Sequence, residues 1–113
     1  MSNIPALGEF EQVVLLAILR LSDDAYGVTI RNEIEKCTGR DPSPGALYTT
    51  LDRLEDKGLV RSRTGDPTPE RGGRSKRYFT VSASGLKAVT HAQRSYQRLL
   101  EGLELPGLTY GQS

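Results

Sequence analysis

The pattern of apolar and polar positions along the chain predicts three helices, a β-hairpin and a fourth helix, in that order. The first predicted helix covers Leu7 to Leu21, where apolar side chains recur at helical spacing and also occupy most of the remaining faces. A helix that is apolar on most faces is buried on most faces. A domain of this size can rarely cover such a helix alone, so a second chain is a candidate cover.

The second predicted helix runs from about Ala25 to Cys37 and has a narrower apolar stripe. Its inward positions are Tyr26, Ile30, Ile34 and Cys37. Their spacing indicates one buried face. Asp23 or Asp24 is expected to cap the start, because a carboxylate accepts hydrogen bonds from the free backbone N–H groups there. Gly39 suits the left-handed position that ends a helix.

The third predicted helix has the clearest start and stop in the sequence. Ser43 is a suitable N-cap, and Pro44 occupies the first helical position, where its missing N–H costs nothing. The inward leucines are Leu47, Leu51 and Leu54. Gly58 suits the left-handed position after the helix, and Leu59 can then fold back onto it as a hydrophobic contact. These signals agree on the position of the helix.

Two short segments rich in β-branched and aromatic residues predict a hairpin after the third helix. They are residues 59–64 (LVRSRT) and 76–81 (KRYFTV). Phe79 and Val81 share one face of the second strand, and Tyr78 takes the other. Residues 65–74 hold two prolines and three glycines, which cannot continue either strand. This segment is therefore predicted to be a long, exposed, basic loop.

The fourth predicted helix begins at the N-cap Ser82 and extends to about Leu103. Its apolar positions step by three and four residues: Val89, Ala92, Tyr96, Leu99 and Leu103. That spacing is typical of a helix–helix seam, which we expect to join two copies of the chain. Packing of the helix on its own domain is the alternative. The final segment, PGLTYGQS, is expected to be a loose tail.

Composition narrows the class of protein. The chain has 113 residues, of which 36% are hydrophobic and 26% charged, typical of one soluble domain. No apolar run approaches the roughly 18 residues that span a bilayer, and the N-terminus lacks a basic signal region. A cytoplasmic protein without membrane contact is therefore expected.

The counts of reactive side chains exclude several kinds of site. Cys37 is the only cysteine and His91 the only histidine, so an intramolecular disulfide and a zinc site of cysteines or paired cysteines and histidines are excluded. Cys37 is expected to be a small buried hydrophobe, and His91 to be solvated or at an interface. No nucleophile-and-base pair or glycine-rich phosphate loop is present. The sequence therefore predicts a protein that is not an enzyme and needs no metal or cofactor.

Charge is unevenly distributed although the net charge is only +1. Residues 1–60 carry six basic and ten acidic side chains, whereas residues 61–113 carry nine basic and four acidic ones. Between residues 61 and 77, six cations face only two carboxylates. Such a local basic patch favours an anionic partner at one site, with a solvated loop as the alternative.

The order of elements is that of a winged helix-turn-helix, whose third helix enters the major groove of DNA by its N-terminal residues. Gly45 and Ala46 are then small because phosphates and base edges pass close by. Thr49 and Arg53 are expected to meet base edges or phosphates, and the basic loop to meet the backbone or minor groove. The predicted DNA-binding residues are Ser43, Gly45, Tyr48, Thr49, Arg53, Arg71, Arg74, Lys76 and Arg77.

Several of these residues have alternative roles that the sequence leaves open. Ser43 can act only as a cap, and Tyr48 can cover the leucine stripe. Arg53 can pair with Asp56 or Glu9, and acidic side chains further along the helix restrict the predicted contact to its first two turns. A winged helix that binds protein through its hairpin is the main alternative function. An RNA-binding winged helix would need exposed aromatic side chains for stacking and ranks behind it.

Three segments resemble the PadR family of bacterial transcriptional regulators. Residues 45–60 (GALYTTLDRLEDKGLV) are similar to its recognition-helix pattern, and residues 72–89 (GGRSKRYFTVSASGLKAV) to its wing. Residues 24–34 (DAYGVTIRNEI) are similar to its entry into the second helix. The resemblance covers roughly residues 7–103, with Phe79 standing where tyrosine is common.

The resemblance implies a mainly α fold with a small β-hairpin, in which a winged helix-turn-helix precedes a C-terminal dimerisation helix. The corresponding parts are a DNA-binding domain at 1–82, the dimerisation helix at 83–104 and a flexible tail at 105–113. It implies a dimeric repressor that binds double-stranded DNA and whose first and last helices build the dimer. Because a two-fold dimer repeats the recognition helix, the operator is expected to be an inverted repeat. The predicted dimer-interface residues are Phe10, Val14, Val89, Ala92, Tyr96, Leu99 and Leu103.

The resemblance also bears on ligands. Some members of the family release DNA when phenolic or drug-like molecules bind between the subunits, so a small aromatic effector at the dimer interface stays open. The chain has no tryptophan, the residue that stacks ligands in one drug-binding branch.

Overall fold

A computed structural model describes residues 4–65 and 76–109, and the structural statements that follow refer to those residues. The elements in chain order are α1 (Glu9–Leu21), a 3₁₀ turn (Ser22–Asp24), α2 (Gly27–Thr38), α3 (Pro44–Asp56), β1 (Val60–Thr64), β2 (Arg77–Val81), α4 (Ala83–Leu100), β3 (Glu104–Leu105) and β4 (Leu108–Thr109). The predicted fold class, mainly α with a small β-hairpin, is confirmed. None of the helices described is long and apolar enough to cross a bilayer.

The ends of α3 and the start of α4 follow the local capping signals. Ser43 Oγ accepts a hydrogen bond from the Ala46 N–H at 3.1 Å, and Ser82 Oγ accepts one from the Gly85 N–H at 3.0 Å. After α3, Gly58 takes a φ of 73° in the left-handed region. The Leu59 N–H then donates to the Leu54 carbonyl at 2.9 Å, and both leucines are fully buried. These caps fix where the third helix begins and ends.

The entry into α2 differs from the prediction. Asp23 and Asp24 lie in the 3₁₀ turn, so the prediction of an aspartate cap is wrong; Tyr26 is the N-cap residue. The cause is a tertiary contact, since the Phe79 N–H of β2 donates to the Ala25 carbonyl at 2.8 Å. This bond, with an antiparallel bridge between Tyr26 and Tyr78, keeps the chain extended until the helix begins.

The core is built from one face of each helix and of the hairpin. Its largest fully buried side chains are Phe79, Leu15, Ile18, Ile30, Ile34, Leu47, Leu51, Leu54, Leu59, Val14 and Val60. The buried residues of α2 end at Ile34, and Cys37 in the next turn is exposed. The prediction of a buried Cys37 is therefore wrong, because the helix continues beyond the elements that cover it.

The C-terminal region contains a short second hairpin that the sequence does not predict. Helix α4 ends at Leu100 rather than near Leu103. Strands β3 and β4 then form a two-residue antiparallel hairpin within residues 104–109, where the sequence analysis places the beginning of a loose tail. Gly102 and Gly107 have φ values of 78° and 79°, which allow the tight reversals on either side of β3.

Candidate nucleic-acid interface

Helix α3 presents a polar, open face to solvent. Its leucines anchor the opposite face in the core, while Thr49 and Arg53 are exposed. A Cβ atom added to Gly45 would meet no described atom within 4 Å. Packing within the fold therefore does not require a glycine at this position. The small residue leaves open space next to the surface of α3.

Tyr48 lies across the start of α2. A Cβ atom on Gly27 would collide with the Tyr48 hydroxyl group, so the glycine is what allows this approach. The tyrosine is still 39% exposed. Its hydroxyl group therefore lies beside the first turn of α2, where backbone N–H groups have no helical partner. Sequence reasoning missed this role of Gly27, although a glycine at the first position of a helix is a visible signal.

Arg53 has no ion-pair partner among the described residues. Glu9, one of its two possible partners, instead pairs with Arg40 at 2.7 Å, and Asp56 makes no ion pair with a described residue. The positive charge of Arg53 helps to lower the pKa of Glu11. An exposed, uncommitted guanidinium on α3 is suited to bind a phosphate or a guanine edge.

The inner face of the β1–β2 hairpin packs on α3. Strands pair in the register Ser62 with Phe79 and Thr64 with Arg77. Ser62 Oγ donates to Glu55 Oε2 at 2.7 Å, and the Arg77 guanidinium contacts both Glu55 and, at 3.4 Å, Asp52.

The pKa of Glu55 reports how firmly this carboxylate is held. The Ser62 hydrogen bond lowers it most, burial opposes, and Arg77 lowers it further, so the net shift is downward. Glu55 is therefore held as a carboxylate between the hairpin and the third helix.

The outer face of the same hairpin carries cations stacked on tyrosines. The Arg63 guanidinium lies 4.5 Å from the centroid of the Tyr78 ring, and Lys76 Nζ lies 4.3 Å from that of Tyr26. The two rings meet edge to face at 5.5 Å. Of the predicted loop cations, Lys76 is therefore held at the base of the wing, whereas Arg71 and Arg74 lie outside the described residues.

A helix-turn-helix joined to a basic hairpin is the geometry of a winged-helix DNA-binding protein. The model of the transcriptional regulator PadR-like family matches residues 15–91. The chain belongs to the PadR-like family. This family consists of DNA-binding transcriptional regulators and not of enzymes, so the predicted family and the prediction of a non-enzymatic protein are confirmed.

Individual relatives of this PadR-like chain agree with the family match. "Transcriptional regulator Rv3488" of Mycobacterium tuberculosis is 34% identical over 96 residues, covering 80% of this chain and 83% of that protein. A complex structure of hsRosR-S1 superposes with a TM-score of 0.67 at 26% identity, covering 83% and 76% of the two chains. A transcriptional regulator from Clostridium thermocellum has the same fold, with a TM-score of 0.67 at 21% identity over 80% and 84%.

The predicted dimer residues of the PadR-like chain fall into two groups. Val14 and Val89 are 0% and 2% exposed within the monomer, which leaves them no surface for a second chain. Tyr96, Leu99 and Leu103 are 48%, 74% and 48% exposed. Helical spacing places Val89, Tyr96 and Leu99 on one stripe of α4, and the domain's own core covers the first part of that stripe.

The remaining predicted interface residues are half-buried. Ala92 belongs to this group, as does Phe10, whose ring centroid lies 5.1 Å from the Arg40 guanidinium. Leu16 and Leu19 of α1 add further exposed apolar surface at 38% and 42%. Helix α1 is therefore buried where it packs on the core, but it is less buried overall than predicted, because these two leucines are exposed.

A cavity of about 300 Å³ lies between the N-terminal segment and α4. Its lining residues are Ile4, Pro5, Ala6, Leu7, Gln12, Ala88, His91, Ala92, Ser95 and Tyr96. His91 is one of the lining residues and is exposed, as expected for a residue that is solvated or at an interface.

Proposed function

We propose that this PadR-like regulator is a sequence-specific repressor that binds an inverted-repeat operator as a homodimer. The observation that carries the proposal is the exposed face of α3. There Thr49 and Arg53 are exposed, Arg53 has no ion-pair partner among the described residues, and Gly45 leaves open space. Side chains of this kind on a helix held from behind by leucines suit the major groove.

Roles within the interface follow from the chemistry of each group. Thr49 offers a methyl group for a thymine or a hydroxyl group for a base edge, and Arg53 can bind guanine by two parallel hydrogen bonds. The hydroxyl groups of the exposed Ser43 and Tyr48 are suited to donate to phosphate oxygens, although Ser43 also caps α3. Lys76 and the loop arginines add sequence-independent attraction.

Dimerisation is supported by the exposed apolar side chains on α4. Tyr96 and Leu99 of α4, and Leu103 just beyond its end, are exposed in the monomer, and exposed apolar patches mark interaction sites. A two-fold dimer repeats the recognition helix, so the operator half-sites should lie about 10 base pairs, or a multiple, apart. A small aromatic effector at the dimer interface stays a prediction.

Fluorescence anisotropy with DNA from upstream of the protein's own gene tests the base readout. Thr49→Ala and Arg53→Ala should each weaken binding to the operator by roughly 1–3 kcal/mol and bind random DNA with a smaller loss. Lys87→Ala removes an exposed cation from α4 and serves as the control. Equal losses on operator and random DNA would reduce both residues to positioning contacts.

Light scattering tests the dimer. Leu99→Arg places a charge on the most exposed leucine of α4 and should give a monomer that loses most operator affinity, because one half-site binds far more weakly than two. Gln97→Arg adds the same charge at an exposed position two residues earlier, on the opposite side of the helix, and should leave the dimer intact. A Leu99→Arg protein that stays dimeric, or a monomer with full affinity, contradicts the model.

A further inference from the structure

Arg77 stands apart from the other cations of the hairpin because two carboxylates of α3 already occupy its guanidinium group. Its nitrogen atoms contact Glu55 and, at 3.4 Å, Asp52. The group also lies 4.9 Å from the centroid of the buried Phe79 ring. The ion pairs and the ring contact together hold the Arg77 side chain, which is 39% exposed, against α3.

The two carboxylates stand on the same helix as Arg53. Asp52 is its immediate neighbour in the sequence and is exposed, and Glu55 is half-buried one turn further on. Carboxylates in this position repel a passing phosphate backbone, since the Debye length at physiological salt is about 8 Å. A guanidinium placed between them offsets this repulsion.

Arg77 also fixes the base of the hairpin. It pairs with Thr64 as the last pair of the β1–β2 ladder, and the next bond joins the Gly65 N–H to the Lys76 carbonyl at 2.7 Å. These residues directly flank residues 66–75. A contact from Arg77 to α3 therefore sets the orientation of the hairpin base relative to the recognition helix.

We infer that Arg77 is a positioning residue of the DNA interface and not a phosphate contact. It holds the hairpin base against α3 and offsets the charges of Asp52 and Glu55, so that a DNA strand can pass beside Arg53. The inference rests on the proposed DNA-binding function and revises the sequence-based expectation, which counts Arg77 among the DNA contacts.

Salt-dependent binding of variants distinguishes the two roles. A phosphate contact contributes about 1 to the slope of log affinity against log salt, so its loss lowers that slope. Arg77→Ala should instead weaken binding roughly three- to tenfold, the effect of two uncompensated charges near one phosphate, and should change the slope by clearly less than this amount, because no phosphate contact is lost. Arg74→Ala, in the wing segment, is the comparison expected to lower it.

Neutralising single carboxylates on α3 provides matched rescue experiments. In the Arg77→Ala background, Asp52→Asn or Glu55→Gln should each recover part of the lost affinity. Asp56→Asn removes a carboxylate of the same helix that makes no ion pair with a described residue, and should recover less. A fall in slope of about 1 in Arg77→Ala, or equal recovery from all three changes, would overturn the inference.

The wild-type protein supplies a test that does not depend on a variant folding. In nuclear magnetic resonance spectra, the Arg77 side-chain Nε–H signal should keep its position when operator DNA is added, whereas the Arg53 signal should move. A shift of Arg77 as large as that of Arg53 would overturn the inference alone. Failure of the wild-type protein to bind any DNA would instead refute the proposed function.

Discussion

Removing the ammonium group of Lys57 should destabilise the fold by leaving a buried carboxylate with half of its partners. Glu11 of α1 is 5% exposed. Its Oε2 accepts a hydrogen bond from Lys57 Nζ at 2.8 Å, and its Oε1 accepts one from the Gly8 N–H at 2.8 Å. Lys57 follows the last residue of α3, so this ion pair joins α1 to the end of the recognition helix.

The expected loss follows from the geometry of the pair. A charged acceptor left without its partner costs about 1–3 kcal/mol, and breaking a fully buried ion pair costs about 3–5 kcal/mol. The Lys57 side chain is 35% exposed, so water can reach the freed oxygen atom. Since Gly8 also keeps its bond, Lys57→Met should lower the free energy of unfolding by about 1–2 kcal/mol.

The pH dependence separates the ion pair from a simple loss of packing. Burial acts to raise the pKa of Glu11, but the Lys57 hydrogen bond, the Gly8 N–H and nearby positive charge outweigh it and lower the pKa. A carboxyl group with a lowered folded-state pKa contributes stability above its unfolded-state pKa, and this contribution is lost as the pH falls through the folded value. The deficit of Lys57→Met should therefore be largest near neutral pH and shrink in acid.

Urea unfolding followed by circular dichroism measures this deficit at pH 7 and at about pH 4, the region where a free carboxyl group titrates. All proteins are compared at one concentration, because dimerisation couples to stability. Lys36→Met, which removes an exposed lysine from the last turn of α2, should be close to neutral. A Lys57→Met protein as stable as wild type at pH 7, or a deficit that is the same at both pH values, would refute the reasoning.

Two further predictions concern the DNA-binding surface. Gly27→Ala should displace Tyr48 and lower stability by about 1–3 kcal/mol in thermal unfolding, whereas Gly45→Ala, with open space at its Cβ, should keep or raise stability and weaken only DNA binding. Unchanged operator affinity in Gly45→Ala would argue against close approach of DNA there. Arg74→Ala should weaken binding to all DNA sequences alike and lower the salt slope by about 1, and an unchanged slope would remove Arg74 from the phosphate backbone.

Local signals determine α3 almost completely, which is why its position could be predicted from the sequence. A serine cap, a proline at the first helical position and a glycine after the end act within a few residues of one another. The start of α2 depends instead on the distant strand β2, whose Phe79 N–H bonds to Ala25. Helix propensity and capping rules consider only neighbouring residues and cannot predict a contact with a distant strand. They therefore predict a cap at Asp23 or Asp24.

The strand position of Arg77 can be predicted from the sequence, although its charge alone suggests a DNA contact. Side chains two residues apart in a strand share a face, so Arg77 lies on the same side as the inward-facing Phe79. The number of cations in the wing does not show which of them lie on the outer face of the hairpin. The strand period separates Arg77, which meets α3, from Arg63, which stacks on the outer face.

Helical periodicity predicts the apolar stripe on α4. It does not predict which part of the stripe the chain's own core buries and which part stays exposed. The same three- and four-residue spacing runs through Val89, which the domain's own core buries, and Leu99, which remains 74% exposed. Only the distribution of packed elements along the helix separates these two cases. The same limit applies to α1, where Val14 is buried and Leu19 is not.

One turn of α1 connects the two surfaces on which the proposed function depends. Glu11 is paired with Lys57 at the end of α3, and the next residue, Gln12, accepts a hydrogen bond from Gln93 of α4 at 3.1 Å. Both side chains of α1 are buried, so moving α3 or α4 against α1 would leave a buried polar group without its partner. In a dimer formed through α4, these contacts would fix the position of each α3 relative to its own α4, and through the dimer the separation of the two recognition helices. A fixed separation of this kind is the condition for reading two half-sites at one spacing.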